Sequence, residues 1–169
     1  MFVANYLSTR KYFYFDLCPV PLTFPAVASP RQNRRNSSAV EDYLERILEL
    51  IDSKGYARVV DIAKGLQISQ ASVSNMVQRL DAEGLLKYEK YRGLVLTTAG
   101  ETLARNIARR HELLTDFLTL LGLDDRVIYH DVEGMEHHIS PSTLRAIAAL
   151  TAQLRRHPAL RAKLVRAVV

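Results

Sequence analysis

At 169 residues, 48% of them apolar, and with a net charge of +5, the chain can build one or two cored domains and favours an anionic partner, nucleic acid first. No stretch approaches the run of roughly 20 apolar residues that a membrane span needs. Cys18 is the only cysteine, which excludes an internal disulfide and a C-x-x-C zinc clasp and fits a reducing, cytoplasmic setting.

Residues 1–36 are rich in aromatics and proline and have neither a helical nor an alternating period. Arg10 and Lys11 ahead of apolar residues are the one hint of a signal peptide, but Asp16, Pro19, Pro21 and Pro25 break the apolar run. The segment reads as a disordered arm or a start codon placed too far upstream. The run Arg31, Arg34 and Arg35 reads as a solvated linker rather than a phosphate contact.

From 37 to 100 the pattern becomes that of a DNA reader. Ser38 and Glu41 have the spacing of a capping box. Tyr43, Leu44, Ile47, Leu48, Leu50 and Ile51 then recur at helical spacing, and Lys54-Gly55 ends the helix. A second helix carries Val59, Val60, Ile62, Ala63 and Leu66. The turn GLQISQ leads to Ser69, which caps a third helix, with Val73, Met76, Val77 and Leu80 inward and Gln70, Ser72, Asn75, Gln78 and Arg79 outward. Two short helices joined by a tight turn make a helix-turn-helix. In LLKYEKYRGLVLTTAG, Leu86, Tyr88, Leu94 and Leu96 alternate with polar or small residues around Tyr91-Arg92-Gly93, which predicts a β-hairpin wing. Gln70, Ser72, Asn75 and Gln78 are the candidate base or phosphate contacts, and Arg58, Lys90 and Arg92 the candidate basic contacts. A polar helix face that is merely solvated is the alternative, but helix, turn, helix and basic wing in that order favour DNA.

From 101 to 169 every predicted element is helical. Thr98 and Glu101 have capping-box spacing ahead of a long helix that stops at Gly122, with Leu103, Ile107, His111, Leu114 and Leu118 on one face. DDRVIYHDVEGMEHHI predicts another helix, Ser140-Pro141 starts the next, and ALRAKLVRAVV predicts a short amphipathic helix after Pro158. The fold class is therefore mostly α: an N-terminal winged helix-turn-helix followed by an all-helical domain.

Glu133, Glu136 and His137 share a face if the helix holds through them. Such a cluster, packed against another helix, needs a neutralising cation. A solvated face is the alternative, and these residues alone leave both open. Asp42 and Glu45 are also three apart, and His111 lies in an apolar stripe where a satisfied core histidine is the usual reading.

EDYLERI (41–47), GYARVVDIAKGL (55–66), YEKYRGLVLTTAGE (88–101), RRHELLTDFLTLLG (109–122) and DVEGMEHHIS (131–140) resemble the diphtheria-toxin-repressor-like family of metal-dependent regulators, in its manganese transport regulator branch. The resemblance covers residues 38–157 and implies a homodimer on palindromic double-stranded DNA. It also implies a two-metal cluster in each subunit, with ligands falling on Asp42, Glu45, His111, Glu133, Glu136 and His137. His130 and His138 lie outside that set. Iron-responsive relatives place methionine and cysteine where this chain has Asp42 and Glu136, and oxygen with imidazole suits Mn²⁺ better than sulfur does. The function implied is a manganese-activated repressor of manganese uptake genes, with a regulator answering to Fe²⁺, to Zn²⁺ or to no metal as the alternative. An enzyme is not expected. The Glu-x-x-His pairs of di-iron proteins are missing, and HELLT at 111–115 has Thr115 where a zinc protease needs its second histidine. Nothing in the family accounts for residues 1–35.

Overall fold

The computed structural model describes residues 34–89 and 93–168. The arm at 1–33, with Cys18 and the linker residue Arg31, and the wing-tip residues Lys90 and Arg92, lie outside the described residues. In chain order the elements are α1 (Arg34–Lys54), α2 (Val59–Leu66), α3 (Gln70–Ala82), β1 (Leu86–Glu89), β2 (Gly93–Leu96), α4 (Thr98–Leu120), α5 (Asp125–Met135), α6 (Pro141–Arg156) and α7 (Pro158–Val168). They fall into two compact units, one ending at Glu112 and the other beginning at Leu113, so the division lies inside α4.

The first unit is the winged helix. α1 begins at Arg34, one turn earlier than the capping-box reading of Ser38 and Glu41. RRNS contains no proline or glycine, so nothing stops the helix at Ser38, and Glu41 bonds Arg110 of α4 instead. Gly55 ends α1 at φ +79°. Ser69 caps α3 as expected, its hydroxyl accepting from the Ser72 N–H at 3.1 Å. Gln67 takes the left-handed conformation at the end of α2 (φ 56°, ψ 40°), which lets the chain turn sharply into α3.

The hairpin pairs Leu86 with Leu96 and Tyr88 with Leu94, antiparallel. Leu86 and Leu94 are buried, but Tyr88 is 68% exposed, so the inward alternation fails at Tyr88, toward the tip. The wing is tied to the body where the Leu94 N–H donates to the Ala57 carbonyl at 3.1 Å. Gly93 is required there: at φ +80°, an added Cβ would lie 2.7 Å from that same carbonyl oxygen. Leu44, Ile47, Ile62, Val73, Leu80, Leu86, Leu94 and Ile107 are among the residues of one apolar core. Val60, expected inward on α2, is 57% exposed.

α4 starts one residue earlier than the Thr98–Glu101 pairing implied. Its cap is Thr97, whose hydroxyl accepts from the Gly100 N–H at 3.1 Å and donates to the Gly84 carbonyl at 2.7 Å. Gly100 sits so close to the hairpin that a Cβ there would fall 1.8 Å from the Leu85 carbonyl oxygen. Thr97 wins over Thr98 because only it can bridge the turn before β1 to the new helix.

The second unit holds the end of α4 and α5 to α7 around Leu114, Leu118, Ile128, Val132 and Leu144. Gly122 ends α4 at φ +83°. The Asp124 side chain caps α5, and Ser140 caps α6 with Pro141 in its first turn. α5 stops at Met135, short of the stretch through Ile139 predicted for it. Ile139 packs on the core and Ser140 precedes a proline, and both draw the backbone out of the helix. No helix among the described residues is long and apolar enough to cross a membrane.

Candidate metal and DNA-binding sites

In the first unit, α1 and α4 carry three of the predicted ligands. Asp42 and Glu45 are half-buried on α1. His111, 5% exposed, lies in the stripe Ala104, Ile107, His111, Leu114 and Leu118, all buried, with alternating spacings of three and four along α4. His111 Nδ1 is 4.0 Å from Glu45 Oε1. That exceeds hydrogen-bonding distance, and both groups are donor types that a divalent ion takes. Next to them, Arg110 donates to Glu41 at 2.5 Å, so that each member of the pair neighbours a predicted ligand in sequence. Sequence reasoning misses this bond because the Ser38 spacing assigns Glu41 to a cap; the one available signal is a basic residue directly before His111.

In the second unit, Glu136 and His137 stand just past the end of α5. Glu136 is 1% exposed and its backbone N–H donates to the Val132 carbonyl at 2.9 Å, which keeps it in helical register. His137 Nε2 is 3.6 Å from Glu136 Oε1. Glu133 is exposed, one turn earlier. α5 ends at Met135, but Glu136 keeps helical backbone angles (φ −61°, ψ −32°), so Glu133 and Glu136 stand one turn apart in helical register, Glu136 buried and Glu133 exposed. Burial, and secondarily the Glu133 charge, push the Tyr129 phenol above its usual value. His130 and His138 are exposed.

The donors fit a divalent ion chemically. Carboxylate oxygen and imidazole nitrogen are the only ligating atoms these residues present, and a carboxylate as buried as that of Glu136 is costly without compensating positive charge.

Among the described residues, the candidates for DNA contact are exposed. Gln70, Ser72, Asn75 and Gln78 are exposed on α3, while Val73, Val77 and Leu80 of the same helix are buried. Arg58, just before α2, is exposed with its guanidinium 4.6 Å from the centroid of the Tyr56 ring, a cation–π contact that fixes its direction. The Ser72 hydroxyl is 2.9 Å from that of Ser69 and therefore partly engaged at the cap.

The profile described as "Iron dependent repressor, N-terminal DNA binding domain" matches residues 36–94, and that described as "Iron dependent repressor, metal binding and dimerisation domain" matches residues 97–163. The chain belongs to the iron-dependent repressor family. It is 49% identical over 126 residues to the HTH-type transcriptional regulator MntR of Lysinibacillus sphaericus (strain C3-41), covering 75% of this chain and 91% of the relative. With the MntR of Bacillus subtilis (strain 168) it shares 51% over 112 residues, 66% of this chain and 79% of the relative. Among solved structures it is similar to the manganese regulator SloR, with 31% identity and a TM-score of 0.59, covering 66% of this chain and 52% of that one. It is also similar to the metal-dependent transcriptional regulator MtsR, with 26% identity and a TM-score of 0.62, covering 66% and 52%. The chain spans about half the length of these solved structures. As a member of the iron-dependent repressor family, this protein is a helix-turn-helix transcriptional regulator and not an enzyme. Its partners are DNA and a second copy of itself, and its cofactor is a divalent metal.

Proposed function

We propose that this regulator is a manganese-activated repressor of manganese uptake genes, with a winged-helix domain at 37–100, a metal-binding and dimerisation domain at 101–169, and two Mn²⁺ per subunit held by Asp42, Glu45, His111, Glu133, Glu136 and His137. One observation carries the reading: in a family of metal-dependent repressors, this chain puts oxygen and nitrogen donors, two of them buried (His111 and Glu136), at the predicted ligand positions, and no sulfur. SloR is described as a manganese regulator and ScaR as a manganese-activated repressor, which supports the choice of ion. Such a repressor works where the chromosome is, in the cytoplasm.

Bound Mn²⁺ supplies positive charge and a fixed coordination shell. Asp42 and Glu45 belong by sequence to the DNA-reading half of the chain, and Glu133, Glu136 and His137 to the other half. Shared ligation ties the halves, whereas carboxylates brought together without a cation repel. A dimer reading two half-sites about 34 Å apart gains affinity when its recognition helices are held in place. The coupling expected between metal and DNA is on the order of 1–3 kcal/mol. Gln70, Ser72, Asn75 and Gln78 read the major groove, while Arg58, Lys90 and Arg92 contact the backbone.

The test is fluorescence anisotropy on the gene's own upstream DNA, titrating Mn²⁺, Fe²⁺ and Zn²⁺ and then adding chelator. Mn²⁺ is expected to tighten binding and chelator to reverse it. Asp42→Ala or Glu136→Ala proteins that still responded fully to Mn²⁺ would overturn the ligand assignment.

A further inference from the structure

The positive charge of this regulator is not where its reading head is. Residues 37–100 carry eight Lys and Arg against nine Asp and Glu, a net of −1. Residues 141–169 carry Arg145, Arg155, Arg156, Arg161, Lys163 and Arg166 and no acidic residue, a net of +6 that exceeds the +5 of the whole chain. These residues form α6 and α7, and all six cations are exposed.

The two helices are only partly buried, and Leu150 of α6 and Leu160 of α7 are exposed. Leu144, Thr151 and Leu154 are the buried residues of α6. Arg145 and Arg156, eleven positions apart, repeat after three turns of 3.6 residues and so lie in line, about 16 Å apart along the outward side. On α7, Arg161 donates to the Leu120 carbonyl at 3.1 Å, and Val165 lies against Gly122. Lys163 and Arg166 remain on the exposed side. Arg155 bonds Asp116 at 2.6 Å, so its charge is partly matched. Among the described residues, Arg145, Arg156, Lys163 and Arg166 have no ion-pair partner.

We propose that the α6–α7 face is a second DNA contact, binding the phosphates of duplex DNA independently of sequence and of metal. A winged helix with a net charge of −1 gains little long-range attraction to a polyanion from its own charge. The sequence-independent part of DNA affinity comes from cations that displace condensed counterions. In this chain the largest surplus of cations among the described residues lies on α6 and α7. This inference rests on the regulator reading for its choice of DNA as occupant.

The test compares the full chain with a fourfold variant, Arg145→Gln, Arg156→Gln, Lys163→Gln and Arg166→Gln. Binding is measured with Mn²⁺ between about 50 and about 200 mM salt, on a random-sequence duplex and on the gene's upstream DNA. The slope of log affinity against log salt is expected to become shallower by about 0.9 for each phosphate no longer neutralised, and so by up to about 3.6 per subunit, on both DNAs. A charge-keeping variant, Arg145→Lys, Arg156→Lys, Lys163→Arg and Arg166→Lys, is expected to retain the parent slope. Parent-like slopes in the glutamine variant would overturn the proposal, leaving these cations a solvated surface or the site of an acidic protein. An equal change in the charge-keeping variant would also overturn it, because the effect would then be structural. If the parent bound its upstream DNA equally well in Mn²⁺ and in chelator, the manganese reading would fail, while the slope on random DNA would still decide this one.

Discussion

Glu136 keeps 1% of its surface in water, while Glu133, one turn back in the same short motif, is exposed. A carboxylate that deep needs positive charge close by. Replacing it with the isosteric amide, Glu136→Gln, removes the charge a divalent ion answers to while leaving the packing in place. A site filled at a hundred times its Kd stabilises the fold by about 2.7 kcal/mol. The parent protein is therefore expected to gain a clear rise in Tm on adding Mn²⁺, and Glu136→Gln to lose most of it; equal gains in the two proteins would remove Glu136 from the ligand set. The residue types of the proposed site were legible in the sequence, because E-x-x-E-H and D-x-x-E are unusual in a chain with five histidines. Which of them are buried was not legible. That depends on where α5 ends, and Ile139 and Pro141, both outside the motif, help set that end.

At the scale of the element, helices were easier to read than their ends. Period and breaker residues located α2, α3, α6 and α7, and the caps Ser69 and Ser140 were visible as single residues. The start of α4 was ambiguous because TTAGE offers two threonines, and the choice is made by the approach of Gly100 to the Leu85 carbonyl across the hairpin, a tertiary contact. Gly100→Ala is expected to destabilise by about 1–3 kcal/mol, since the obstacle is backbone and cannot rotate away. Thr97→Val keeps the shape but loses the cap and the Gly84 bond, a cost of about 1–2 kcal/mol. Urea midpoints measure both, and a neutral result for Thr97→Val would return the cap to Thr98. Ser69→Ala is expected to cost about 1 kcal/mol. Because it loosens the first turn of the recognition helix, it should also weaken DNA binding in Mn²⁺, as an anisotropy titration would show.

For the whole molecule, the net charge of +5 pointed to an anionic partner for a reason that its distribution revises. Composition averages over the chain, whereas the winged helix is close to neutral and the cations gather toward the termini. Neutralising carboxylates with Mn²⁺ therefore changes the head in a second way, by making it less repellent to phosphate. With Mn²⁺ saturating, DNA affinity is expected to fall more steeply with salt than it does in chelator, because a less acidic head makes closer phosphate contacts. Parallel slopes would mean that metal acts through geometry alone. The fold class was legible because helical and alternating periods survive any tertiary context. The division of α4 between the two units was not, because a 23-residue helix with one continuous apolar stripe carries no mark of where one core ends and the next begins.

α4 behaves as a ruler with a phase. His111 is in line with Ala104, Ile107, Leu114 and Leu118 because the helix advances about 100° with each residue and is unbroken from Thr98 to Leu120. One residue inserted between Ile107 and His111 would keep every side chain and every charge, yet swing His111 about a quarter-turn out of the stripe, away from Glu45. Seven inserted residues would restore the angle to within about 20° but displace it by about 10 Å along the axis. A change of length in this stretch is therefore expected to displace His111 from Glu45 whichever residue is inserted, and loss of the Mn²⁺-dependent rise in Tm would show it.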